Sequence, residues 1–265
     1  MKKWIPGVLA VLVIVAGIVI FIHPHLRAKP ALRLYAGAGL QRVVDKLGAA
    51  FEAESGIRVE PDYGGSGLIL SRAREDLQAD LFFPGDAWYV DRLQKLAGTV
   101  AERATVAYFV PTIIVAKGNP KGVQGLADFM RPDVRVGLGK AEANQVGRVS
   151  AAILKKAGID IASRKPQEAL TVNELGVWVK MNAVDAAIVW DAIAANMTND
   201  VQAIAIPPEQ AIISEVVLAR LSGSRHPEAA QRFLAFVNGA KGQRILQETG
   251  YRVSAPQGVA LITPD

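Results

Sequence analysis

The chain has 265 residues, 51% hydrophobic and 21% charged, which is enough for a large core and one or two globular units. It has no cysteine and three histidines, which excludes disulfides, thiolate chemistry and cysteine-held metals and leaves "HPH" (His23, His25) without enough further ligands for a metal site. The net charge of +5 is carried in part by Lys2, Lys3, Arg27 and Lys29 around one apolar run, and no basic stripe interleaved with aromatics exists, so nucleic acid is not an expected partner.

Residues 4–22 carry no charge and are about long enough to span a bilayer. The two lysines ahead of them should stay in the cytoplasm, which puts the remainder outside it. Residues 1–28 are therefore read as a membrane anchor or a cleaved signal, with the soluble part beginning near Ala31. "LRLYAGAGL" (32–40) alternates and then breaks at glycines, a strand running into a loop. "QRVVDKLGAAFEAESG" places Val43, Val44, Leu47, Ala50 and Phe51 on one helix face, and Gly56 stops it. "IRVEPDY" is the next strand and "GLILSRAREDLQ" the next helix, with "YGGSG" (63–67) between them. "ADLFFPGD" (79–86) reads as a short buried strand, and "AWYVDRLQKLAG" as a helix closed by Gly98. This alternation predicts an α/β fold with a largely parallel sheet.

"TVAYFVPTIIVAKGNP" (105–120), interrupted by Pro111, is read as one long extended run that crosses to a second lobe. A fresh series follows: "DVRVGLG", a helix from about 149 to 157, and "LTVNELGVWVKMNAVDAAIVWDAIA", whose "VDAAIVW" (184–190) is a buried strand. "EVVLARLSG" (215–223) looks like a second crossing, and the tail "HPEAAQRFLAFVNGAKGQRILQETGY" carries two amphipathic helices. The expected organisation is two lobes, 31–111 with 207–265 and 112–206, with a ligand in the cleft outside the carboxyl ends of the strands.

"YGGSG" then stands at a strand end and a helix start. Unpaired N–H groups, the positive end of the helix dipole and bare glycine backbone together make an anion site of neutral groups, with the Ser66 hydroxyl as a further donor. The other reading is an ordinary N-cap serine.

Several stretches in order resemble the molybdate-binding proteins of ABC transporters, within the type II periplasmic solute-binding fold. They are "LYAGAGLQRVVDKLGAAFEAESGIRVEPDYGGSG", "ADLFFPGDAWYVDRL" and "VDAAIVWDAIA". The resemblance implies a two-lobed, monomeric receptor that takes up a tetrahedral oxyanion, molybdate or tungstate above all, for an ABC permease and its ATPase. It implies no cofactor and no catalysis. The family's first oxyanion-binding serine falls at Gly39, its second on Ser66, two backbone-amide contacts near Val146 and Glu174, and its tyrosine hydroxyl on Trp190. Two of those three hydroxyls are thus replaced. Other anions, such as sulfate, phosphate or a small organic anion, and a membrane-tethered anion sensor are the alternatives.

Nearby charges have plainer readings. Asp191 caps the following helix or faces the site, where it would repel an anion. Arg148 is a surface arginine or reaches the anion. Asp80 and Asp86 cap strand ends rather than act as an acid and base. An enzyme is disfavoured: the porphyrin-pathway deaminase of similar fold holds its cofactor on a cysteine, and the globular part has only His226, at a helix start.

Overall fold

A computed structural model of the chain describes residues 30–262. The apolar run at 4–22 lies outside the described residues, and no helix among the described residues is long and apolar enough to cross a membrane.

Strand β1 (Ala31–Gly37) pairs in parallel with β2 (Arg58–Gly64) on one side and β3 (Leu81–Phe83) on the other. Helix α1 (Gln41–Ser55) connects β1 to β2 and buries Val43, Val44, Leu47 and Phe51, the apolar face that covers the sheet. It ends where Gly56 turns left-handed at φ 69°, a conformation that disfavours any residue with a β-carbon. Helix α2 (Ser66–Glu75) follows β2, and α3 (Ala87–Ala97) follows β3. Asp86 caps α3 by accepting the Trp88 N–H at 2.7 Å, and Asp80 accepts the Arg33 N–H at 2.8 Å. Both carboxylates serve the backbone.

The run at 105–120 is two strands rather than one. β4 (Val100–Phe109) belongs to the first sheet and β5 (Pro111–Ala116) to a second. Val110 between them gives its carbonyl to the Asp191 N–H at 2.8 Å, and Pro111 has no N–H with which to continue a ladder. β6 (Val136–Gly139), β7 (Gln167–Ala169), β8 (Ala186–Trp190) and β9 (Val201–Ala205) complete the second sheet in the order β7-β6-β8-β5-β9. β10 (Ile212–Leu221) then returns the chain to the first sheet, ordered β11-β10-β3-β1-β2 with β11 at Ala260–Leu261 and β4 also on β10.

The sheets are mixed, which corrects the expectation of a largely parallel sheet. β4 pairs antiparallel with β10, and β5 pairs antiparallel with β8 and β9. The reason is directional: β4 carries the chain out of the first sheet and β10 carries it back, so side by side they run opposite ways. The strand–helix–strand units remain parallel, as β1 with β2 and β6 with β7 and β8.

Helices α4 (Gln145–Lys156), α5 (Val172–Lys180) and α6 (Asp191–Ala195) follow β6, β7 and β8. α4 starts before the expected 149 because the Asn144 side chain caps it, accepting the Gly147 N–H at 2.9 Å. Helices α7 (Pro227–Asn238) and α8 (Ala240–Glu248) pack near α1, where Phe233 meets Phe51 edge-on at 5.2 Å.

Candidate functional site

The carboxyl ends of β1, β2, β6, β7 and β8 each run into a helix start. β1 does so through a 3-10 turn at Ala38–Leu40. These five turns surround one small cavity, to which Gly39, Ser66, Val146, Val172 and Trp190 each contribute from a different turn. The cavity is small, about 20 Å³. No ionisable side chain lines it among the described residues.

The donors are first-turn groups. The N–H groups of Ser66, Val146 and Val172 have no acceptor within their own helices, and none donates to another described residue. The aligned peptide dipoles of α2, α4 and α5 add partial positive charge at the same place. Ser66 is buried, and its hydroxyl oxygen accepts the Gly85 N–H at 3.3 Å, which leaves its O–H free to donate. The N-cap of α2 is Gly65, and Ser66 is the first helical residue with no side-chain capping bond, so the ordinary-cap reading of this serine does not hold.

The glycines of "YGGSG" have a further cause. A Cβ on Gly65 would stand 2.7 Å from the carbonyl oxygens of both Ala143 and Leu170, and one on Gly67 would stand 2.9 Å from that of Glu142. The Gly67 N–H donates to the Ala143 carbonyl at 3.0 Å. Bare backbone at 65 and 67 therefore lets the start of α2 close against the loops that follow β6 and β7.

Gly39 is matched to Trp190. A Cβ at 39 would lie 3.0 Å from Cγ1 of Val172 and 3.4 Å from Cδ1 of Trp190, so the indole occupies the room that a side chain at 39 would need. Trp190 is buried and stacks flat on Phe109, with centroids 4.6 Å apart and planes 5° apart. The turn carrying Gly39 is held from two sides. Asn173 Nδ2 donates to the Ala38 carbonyl at 3.0 Å, and the Tyr251 hydroxyl donates to the Gly39 carbonyl.

Gly39, Ser66, Val146 and Trp190 thus meet around one cavity, whereas Glu174 does not line it. Its N–H goes to Thr171 Oγ1 at 3.4 Å, the cap of α5, and its carboxylate accepts the Leu170 N–H at 2.9 Å. Thr171 and Val172 stand at the cavity instead. The "TVNE" spacing carries that signal in the sequence, because a capping threonine takes the amide of the residue three places on. Asn144 and Gln145 also line the cavity without having been expected there. Gln145 is buried and its side-chain amide donates to Ser214 Oγ at 2.9 Å.

The nearest charges stand back from the cavity wall. Asp191 pairs with Arg252 at 2.8 Å; burial pushes its pKa up, and Arg252 opposes that rise. The Asp86 carboxyl is pushed up to about 6, chiefly by burial. Arg148 lies over the Trp88 ring at 4.1 Å instead of entering the cavity. Among the described residues no cluster of His, Asp and Glu is suited to hold a metal cation.

A relative from Haemophilus influenzae, described as a binding protein, is 29% identical over 225 residues, covering 83% of this chain and 90% of the relative. A molybdate-binding protein of Mycobacterium tuberculosis is 27% identical over 220 residues, covering 82% of this chain and 83% of that protein. Among solved structures, the sulfate-binding protein of Mycobacterium tuberculosis superposes with a TM-score of 0.76 at 23% identity, over 86% of this chain and 88% of that one, a likeness of fold. The family model for bacterial extracellular solute-binding proteins matches residues 32–252, and the chain belongs to that family.

Proposed function

We propose that the chain captures one tetrahedral oxyanion of the molybdate, tungstate or sulfate class outside the cytoplasm and passes it to an ABC permease and its ATPase. The observation that carries this reading is the cavity itself: small, about 20 Å³, lined by no ionisable group and met by the starts of three helices, α2, α4 and α5. A space of that size suits a single compact ion and excludes a substrate with an organic body. Neutral donors with no facing carboxylate favour a fully ionised dianion. A protonated phosphate needs an acceptor for its proton, and Asp191 is engaged with Arg252.

In this reading the amides of Ser66, Val146 and Val172, the Ser66 hydroxyl and the Trp190 indole N–H surround the anion, and Gly39 makes room for the indole. Residues 31–111 with 207–265 and residues 112–206 act as the two lobes. The division of strands between two sheets supports that partition. The uncharged run at 4–22 supports a tether to the membrane. Calorimetric titration with molybdate, tungstate, sulfate and phosphate tests the reading. Saturable binding of at least one dianion, with phosphate weaker by about tenfold or more, is expected. Preference for phosphate, or no binding of any of the four, would overturn it.

A further inference from the structure

A second opening, far larger than the first cavity, has a volume of about 1050 Å³, at the upper end of the roughly 300–1,000 Å³ of small-molecule sites. Gly67 lines it, while its chain neighbour Ser66 lines the small cavity. Two helices form its walls. From α3 come Trp88, Arg92 and Leu96, spaced four residues apart on one face. From α4 come Arg148, Ala152 and Lys155, with Lys156 beside them. Leu96 is 45% exposed, and Leu261 at one end of the groove is 46% exposed.

The charges of this groove are unbalanced. Arg92, Arg148, Lys155 and Lys156 line it, against Glu142 alone. Elsewhere arginines find carboxylates: Arg103 with Asp91, Arg135 with Asp185, Arg252 with Asp191. None of the four groove cations forms a salt bridge among the described residues. Arg148 and Arg92 instead lie over the half-buried Trp88 ring, at 4.1 and 5.8 Å. Unpaired cations over an aromatic face, beside exposed leucines, suit a ligand with both an acidic head and an apolar body. A bare inorganic ion would use the cations and leave the exposed Leu96 and Leu261 without a partner.

We propose that this groove is a second ligand site, for an organic anion with an aromatic or aliphatic body and one carboxylate, sulfonate or phosphonate head. The head meets Arg92 and Lys155, and the body lies along Trp88 and Leu96. The site is separate from the oxyanion cavity and stands or falls independently of it.

The test is titration of the full chain with naphthalenesulfonate, with naphthalenemethanol as the uncharged probe of the same body, followed by calorimetry and tryptophan emission. Saturable binding of the sulfonate is expected, at least about tenfold tighter than the alcohol. The double variant Arg92→Ala/Lys155→Ala should weaken the sulfonate by about tenfold or more and leave the molybdate titration and the unfolding temperature unchanged. Three results would each overturn the proposal: equal binding of alcohol and sulfonate, wild-type sulfonate binding by the double variant, or competitive displacement of the sulfonate by molybdate, which would put the probe at the small cavity.

Discussion

Gly65→Ala separates the closing of the site from its chemistry. Gly65 has φ −60° and ψ 147°, which any L-residue adopts, so the substitution brings no backbone strain. What it brings is a methyl group 2.7 Å from two carbonyl oxygens, those of Ala143 and Leu170, where ordinary contact begins at 3.4 Å. Each carbonyl has to retreat by about 0.7 Å (3.4 − 2.7), and the Ala143 carbonyl also holds the Gly67 N–H at 3.0 Å. Overpacking of this kind costs about 1–3 kcal/mol. If the contact is made only when the site closes on its anion, affinity falls by roughly 5- to 150-fold. Calorimetric titration with molybdate reads that fall directly. Thermal unfolding with and without molybdate shows where the cost lies: the ligand-induced rise should shrink, while the ligand-free transition moves little. Gly64→Ala is the comparison, because its Cβ meets side chains instead of backbone, those of Leu68 and Ile69 at 3.1 and 3.2 Å. If Gly65→Ala binds as tightly as wild type, the backbones do not need to meet for capture and the argument fails.

Ser66→Ala should weaken oxyanion binding by about 1–3 kcal/mol, since a charged acceptor loses a donor and the Gly85 N–H loses its acceptor; an unchanged titration would leave the serine a purely structural role. Trp190→Phe keeps the stack on Phe109 but removes the indole N–H, so affinity should drop by about tenfold and the ligand-induced change in tryptophan emission should disappear; a variant that binds and responds like wild type would make Trp190 a core residue only. Gly39→Ser should weaken binding because its Cβ crowds Val172 and Trp190, and the double variant Gly39→Ser/Trp190→Tyr should recover affinity beyond the sum of the single effects; strict additivity in the mutant cycle would show that the two positions are not matched. Asp86 has a folded-state pKa of about 6 against 3.8 for the free group, so the stability it contributes is fully present below about pH 3.8 and is lost as pH rises through about 6. Asp86→Asn should therefore be more stable than wild type at pH 7.5 by at most about 3 kcal/mol, with the difference closing toward about pH 4; denaturant unfolding that finds wild type the more stable at pH 7.5 would contradict this.

Local pattern carried much of the fold. The face of Val43, Val44, Leu47 and Phe51, the stop at Gly56 and the apolar run of β8 are set by neighbours a few residues away, and a single chain displays them. The placement of Ser66 at the cavity was legible for the same reason, since a strand end, a glycine run and a helix start lie within five letters. The mixed pairing of the sheets was not legible: whether β4 runs with or against β10 depends on which strand lies beside it, and no local period records that. The shift from Glu174 to Val172 required seeing that the Thr171 cap had consumed the Glu174 amide. The matching of Gly39 to Trp190, and of Gly65 to the carbonyls of Ala143 and Leu170, belongs to tertiary structure alone. These residues are far apart in the chain and meet only once both sheets have formed, so the sequence determined the pieces of the site, and packing decided which pieces face each other.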